Sequence, residues 1–412
     1  MRKHAKDKRP SPKPVIKAEL AEGHKNVRII FVVVLLALGI TLIAFSAARL
    51  LGREDGYTKI EVDDSIFSDL FVLNYDIGAS GATASMEYRK VRDVYSGALD
   101  KYCKLFSADT SYDSVANICY LNSHPGERTV IDSELYSALL RMEKEGKALH
   151  YLGIVLEMYD VVFSCDGDAY AKESDPMKNA EMGALLKEAC RFASDRDAVS
   201  LEFFSDSSVV LNVSDEYRKF AEDFGFVRFI DLGIFENAFV LDAIAEKLSR
   251  EGMCFGAVSS YDGYTRNLDT RTDMAYSFSF YAKANDTVYP VCDVSYTGSV
   301  TACHLKSYPT SGLDTFDFYL YSNGESVHRL IDASSGKSVS VKPELLILSK
   351  EEDAVSLALR GYNTLVAEQF SADELDGVFA AWLEGYEIKS TDSDDVRLSL
   401  PFNDGEISFT IE

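Results

Sequence analysis

The sequence has no CxxC pair, no internal repeat, no long low-complexity linker, and too few basic residues to balance its acids. Each absence removes a class of protein. Seven cysteines, at 103, 119, 165, 190, 254, 292 and 303, are odd in number and scattered, which excludes a disulfide framework. They also lack the spacing of zinc ligands, so most are read as buried thiols. With 42 Lys and Arg against 66 Asp and Glu the net charge is −24, which argues against a nucleic-acid partner. What is present suits a folded protein: 47% hydrophobic and 12% aromatic residues supply a sizeable core. The length of 412 residues accommodates a membrane anchor and two or three globular units.

The basic residues are unevenly placed. Up to Arg28 there are nine Lys and Arg against three Asp and Glu. Immediately after comes "IIFVVVLLALGITLIAFSAA", Ile29 to Ala48, with no charge in 20 residues. At ~1.5 Å per residue this run crosses a ~30 Å hydrocarbon core. Basic residues before it place the N-terminus in the cytoplasm and the remainder outside. The expected organisation is a basic cytoplasmic tail (1–28), a transmembrane helix (29–48), a stalk (49–66) and an extracytoplasmic domain (67–412) at the cell membrane. A cleaved signal peptide is the rival reading, helped by "FSAA" and opposed by the long polar lead and the length of the run. No cysteine follows the run closely enough for lipoprotein attachment.

Hydrophobic periodicity predicts helices at 86–105, 132–147, 178–193, 214–222, 239–250, 350–360 and 371–384. Strand patterns dominate between Met274 and Ile347. "YSFSFYA" places Tyr276, Phe278 and Phe280 on one face, and "TFDFYLYSNGESVHRLID" reads as two strands about an Asn323-Gly324 turn. Helices mixed with largely antiparallel strands indicate an α+β domain.

One segment carries more than a fold class. "FIDLGIFENAFVLDAIAEKL", 229–248, reads as a strand end, a turn at Gly233 and an amphipathic helix, an arrangement that often holds phosphate. In order and spacing it resembles the central signature of the ApbE family, the FAD:protein FMN transferases, which reads Asp-Leu-Gly-Gly-Ile-Ala-Lys-Gly-Tyr-Ala-Val-Asp. Asp231, Leu232, Gly233 and Asp242 match. Ile234 stands for the second glycine, Glu236 for the alanine, Asn237 for the lysine and Ala238 for the next glycine. The resemblance is collinear from about residue 66 to 390. It takes in Leu121-Asn122, the glycine-led helix "GIVLEMYDVVF" with Tyr159 in place of tryptophan, and Tyr261-Asp262 beside Gly263 at a double-glycine turn. It continues through Thr310-Ser311-Gly312, "HRLIDASSG" from His328 to Gly336, and "EDAVSL", where Asp353 is kept and Leu357 replaces a threonine.

The resemblance implies an ApbE-like fold and Mg²⁺-dependent transfer of FMN from FAD to a Thr or Ser of an extracytoplasmic acceptor protein. It implies cofactor contacts at Asp231, Gly233, Asn237, Gly263, Thr310, Ser311 and Gly312, catalytic roles for His328 and Asp332, and a metal ligand at Asp353. The chemistry of the replacements points the other way. Glycines let a backbone approach a pyrophosphate, and Ile234 and Ala238 add side chains there. Glu236 near a helix N-terminus suits the helix and repels phosphate. Leu357 offers Mg²⁺ no oxygen, and Ser356 points about 100° away on a helix. A purely structural helix, packing Val240 and Ile244 into the core, accounts for the 229–248 pattern equally well. His328 can likewise be a structural histidine, "KEED" a solvated helix start, and Thr310 to Gly312 an ordinary turn.

"SGATAS", 80–85, matches the pattern that such enzymes modify, with the acceptor hydroxyl at Thr83. The same stretch also aligns with the first strand of the transferase fold. Three functions stay open: a divergent FMN transferase, a pseudoenzyme acting through a protein partner, and a flavin carrier modified at Thr83.

Overall fold

The computed structural model describes residues 56–62, 65–284, 287–310, 317–384, 387–391, 396–399 and 410–411. The tail, the apolar segment 29–48, the stalk up to residue 55, and Ser311 and Gly312 lie outside the described residues. Among the described residues no helix is long and apolar enough to cross a membrane.

The scaffold is an α+β arrangement on a sheet of nine strands. Their order is Gly56–Lys59, Phe71–Ile77, Gly256–Ser260, Tyr264–Asn267, Val300–Lys306, Glu344–Ser349, Phe379–Glu384, Glu387–Ser390 and Thr410–Ile411. Every neighbouring pair is antiparallel except the last. Gly56–Lys59 forms the edge of this sheet, so the folded unit begins inside the stretch expected to be a stalk.

Both faces of the sheet are covered, and the strand sequences show why. In Glu344–Ser349, Leu345 and Ile347 join the large core under the helices, while Leu346 and Leu348 join a second core. That second core is closed by the long hairpin of strands Ala275–Ala284 and Thr287–Thr297 through Phe280, Cys292, Val294 and Tyr296. A strand buried on both faces loses the polar half of its alternation. This corrects the helix expected at 371–384: a short 3₁₀ turn at Ala372–Leu375 is followed by strand Phe379–Glu384. Phe379, Ala381 and Leu383 face one core and Ala380 and Trp382 the other, and so continuous an apolar run carries no period.

The remaining predicted helices form at Ala84–Phe106, Ser133–Glu145, Ala180–Ser194, Asp215–Phe224, Glu236–Arg250 and Ala354–Val366. Helix Glu236–Arg250 buries Val240, Leu241, Ile244 and Leu248, each contributing roughly 1.5–3 kcal/mol against exposure. Phe239 stacks on Phe106 of the long Ala84–Phe106 helix, ring centroids 5.9 Å apart. The helix stops at Gly252, whose φ of +74° suits glycine, with Met253 N donating to Leu248 O. The turn at Asn323-Gly324 joins strands Phe318–Leu320 and Ser326–His328 as expected, Gly324 having φ +85°. All seven cysteines are free, and Cys103, Cys190, Cys292 and Cys303 are buried.

Candidate functional site

The entry to helix Glu236–Arg250 is built without the strand the sequence suggests. Residues 229–232 are irregular, and the side chain of Asn122 takes the place of a neighbouring strand. Its Oδ1 accepts from Phe229 N (3.0 Å) and Ile230 N (2.9 Å), and its Nδ2 donates to Ile230 O at 2.8 Å. Gly233 then turns with φ +56°, a 3₁₀ turn runs to Phe235, and the Tyr264 hydroxyl fixes it by donating to Ile234 O at 2.8 Å.

This turn forms one wall of a cavity of about 290 Å³. Asp231, Gly233 and Asn237, three of the residues implied for cofactor binding, line it together. Gly263 stands between two lining residues, Asp262 and Tyr264, with φ +108°, and an added Cβ would fall 2.2 Å from His304 O. Glycine at 263 thus serves strand approach. Thr310 lies beside the cavity and accepts from Lys306 Nζ, which lines it.

The catalytic pair expected from the resemblance is not among the lining residues. His328 is buried in its strand, its Nδ1 accepts from Leu330 N at 3.3 Å, and burial holds its pKa down to about 4. Asp332 accepts from the backbone and hydroxyls of Ser334 and Ser335 and holds its own turn closed. Burial would raise its pKa, yet those serine contacts bring it below the ordinary value. Thr83, the candidate acceptor, is exposed at the start of helix Ala84–Phe106, and its side chain makes no capping bond. The first two strands, Gly56–Lys59 and Phe71–Ile77, both lie earlier.

Charge dominates the cavity. Asp109, Asp231, Glu236, Asp262 and Asp317 line it, against Arg228, Lys306 and Arg329. The two guanidiniums are committed to carboxylates. Arg228 meets Asp231 at 2.9 Å, Asp109 at 3.0 Å and Asp160 more closely still. Arg329 meets Asp160 at 2.7 Å and also pairs with Asp317. Burial works against the charge on Arg228, and Asp231, Asp160 and Asp109 outweigh it, so its pKa is raised.

Glu236 and Asp262 remain. Burial pushes Glu236 well above the ordinary carboxylate range, and Asp231 and Asp109 add to the shift. Its carboxylate has no hydrogen-bond or ion-pair partner among the described residues. Asp262 is pushed up to about 7, by burial first and then by Asp317. Its Oδ2 accepts from Asn237 Nδ2 at 2.9 Å, while Oδ1 is buried with no partner.

These residues do not fit a dinucleotide pyrophosphate. The Gly233 N–H, which a phosphate would need, already donates to Asp231 Oδ1 at 2.7 Å. The acids outnumber the cations. Nor does the donor set suit Mg²⁺. Asp353, the expected ligand, caps helix Ala354–Val366 by accepting from Ser356 N at 2.8 Å. Arg141 donates to both of its oxygens, at 2.7 and 3.0 Å, and to Ser356 Oγ at 2.7 Å. Burial opposes the carboxylate's charge, but Arg141 and Ser356 hold its pKa down to about 2. Leu357 is fully buried, and Asp242, kept from the signature, accepts from Ala354 N and Val355 N at 3.1 Å each. Among the described residues no group of three His, Cys, Asp or Glu could hold a metal ion.

The sequence alone singled out Glu236 as a replacement, but gave no role to Arg228, Asp109, Asp160, Asp317 or Lys306. Only Arg228 left a local signal, standing three residues before Asp231. The others come together through the tertiary fold.

Neither a protein-family model nor a curated protein matches the sequence. Solved structures do resemble the fold. The ApbE protein from Thermotoga maritima is 15% identical, with 79% of this chain and 94% of that chain covered at a TM-score of 0.53. The flavin transferase ApbE from Vibrio cholerae is 10% identical, with 84% and 98% covered, also at 0.53. At these low identities the likeness is one of fold: the chain is built on the ApbE fold.

Proposed function

We propose that this protein keeps the flavin-transferase fold without FMN-transfer chemistry and acts as a pseudoenzyme, recognising a partner through the acidic cavity. The carrying observation is the Arg141–Asp353 pair, which gives the expected metal ligand a protein cation in place of Mg²⁺. The surplus of carboxylates where a pyrophosphate would lie supports the same reading. The proposal anchors the folded unit outside the cell through segment 29–48, on charge asymmetry.

The test is a calorimetric titration of the full-length chain in detergent with FAD, with and without Mg²⁺, followed by assay for AMP. Breaking the FAD pyrophosphate to move FMN onto a hydroxyl must release AMP. The expected result is no saturable binding up to about 1 mM, which corresponds to a binding free energy weaker than roughly −4 kcal/mol. Mg²⁺-strengthened binding with AMP release, and with the FMN recovered on the hydroxyl of an added threonine-containing acceptor peptide and not free in solution, would establish the second reading, an active FMN transferase with substitute ligands. That reading draws support from Asp231, Gly233 and Asn237 lining one cavity. A flavin carrier is tested by intact mass: an FMN adduct on native protein that disappears in Thr83→Val would establish it.

A further inference from the structure

We infer that the cavity beside Gly233 binds a small organic cation, an ammonium or guanidinium group on a short apolar stem. The inference rests on the reading that this cavity no longer serves FAD. It starts from the charges left over once the internal pairs are drawn. Arg228 and Arg329 are shared among Asp109, Asp160, Asp231 and Asp317. Lys306 donates to Thr310. That leaves Glu236 without a partner among the described residues and Asp262 with a buried, unpartnered Oδ1. A buried polar oxygen without a donor is costly, and a ligand that brings donors removes the cost.

The two carboxylates line the same cavity. Glu236 opens its helix, Asp262 sits in the tight turn between strands Gly256–Ser260 and Tyr264–Asn267, and Asn237 ties the two elements by its bond to Asp262. An ammonium there can donate to both, and charge-assisted bonds of this kind are about twice as strong as neutral ones. The rest of the wall suits a stem. Leu70, Ile234, Leu305 and Phe318 are apolar, and Tyr261 and Tyr264 add aromatic rings, a kind of group that attracts a cation. The volume of about 290 Å³ lies just below the ~300–1,000 Å³ of drug-sized sites, so the stem is a few methylenes long. An anion would meet the surplus of acids.

The ligand chemistry has two sources, a free amine and a lysine side chain of a partner protein. Calorimetry on the full-length chain separates them with 1,4-diaminobutane and Nα-acetyl-lysine amide, using butyrate as the anionic control. We expect at least one of the two cations to bind saturably and butyrate not to bind. Glu236→Gln and Asp262→Asn should each weaken binding about tenfold or more, the loss of one charge-assisted bond. Both changes are nearly isosteric, and circular dichroism checks that each variant folds. Absence of saturation by either cation up to about 10 mM would overturn the inference, as would unchanged affinity in both folded variants. The FAD titration above is a separate arm. Failure of the amines without FAD binding sinks this inference alone, whereas Mg²⁺-strengthened FAD binding with AMP release sinks the pseudoenzyme reading on which it rests.

Discussion

Arg141 clasps the carboxylate of Asp353 with two nitrogens, Nη1 at 2.7 Å from Oδ2 and Nη2 at 3.0 Å from Oδ1, across 212 residues of sequence. The same carboxylate caps helix Ala354–Val366. Asp353→Ala removes the cap and the pair together. The cap accounts for ~1 kcal/mol and the partly exposed pair adds at most about another, so urea denaturation should show a loss of about 1–2 kcal/mol. Because Arg141 already occupies the carboxylate, 10 mM Mg²⁺ should leave the midpoint of the parent unchanged. A rise in midpoint with Mg²⁺ would mean that the metal displaces the arginine and stabilises the fold by mass action.

Arg228 is a second point of failure. It is buried against Asp109, Asp160 and Asp231 at once. Arg228→Met preserves much of the stem's packing and leaves the buried Asp231 without its cation, whereas Asp160 keeps Arg329. Removing one partner of a buried ion pair costs about 3–5 kcal/mol, and that loss is the expected shift in chemical denaturation. The double change Arg228→Met, Asp231→Asn should recover part of it, since a neutral amide can still accept from Gly233 N. A single variant as stable as the parent would show that water screens this network.

How much of this was legible in the sequence depended on where each interaction lies. Helix Glu236–Arg250 was plain, because Val240, Ile244 and Leu248 repeat along one face and Gly252 ends it. Strand Phe379–Glu384 was not, because both of its faces are buried and an apolar run without alternation has no readable period. The missing strand at 229–232 was hidden for a different reason: the donor and the acceptor that satisfy Phe229 and Ile230 belong to Asn122, more than a hundred residues earlier. The cavity followed the same rule. Asp231, Gly233 and Asn237 stand in one motif and were found together, whereas Asp109, Asp160 and Asp317 reach Arg228 and Arg329 only through tertiary packing. His328 and Asp332 kept their motif and yet serve their own strand and turn.

His328 makes the fold sensitive to acid. Its Nδ1 accepts a hydrogen bond, which requires the unprotonated nitrogen, and burial lowers its pKa to about 4. In the unfolded chain the value is ~6.5. The folded pKa is the depressed one, so the contribution is fully present above pH 6.5 and is lost as pH falls through 4. The difference amounts to about 3 kcal/mol at pH 4. In His328→Asn, whose amide oxygen can replace Nδ1 as acceptor, the loss of stability between pH 7 and pH 4 should be smaller by about that amount. Parallel pH profiles for parent and variant would show that His328 is hydrated in solution.

Asp262 has the opposite sign. Its folded pKa of about 7 lies above the unfolded value of ~3.9, because burial and Asp317 disfavour the charge. The stability it contributes is present below pH 3.9 and is lost as pH rises through 7. Asp262→Asn removes the ionisation and keeps an oxygen for Asn237. At pH 8 the variant should therefore be more stable than the parent by about 2–4 kcal/mol, and the gain should vanish toward pH 4. A residue that destabilises its own fold at neutral pH is characteristic of a binding site, where a ligand offsets the strain. A saturating amine should accordingly raise the parent's midpoint at pH 8 by more than that of Asp262→Asn, by the equivalent of about 1.4 kcal/mol for a tenfold difference in affinity. If Asp262→Asn is no more stable than the parent at pH 8, the carboxylate is solvated and the cavity holds no stored preference for a cation.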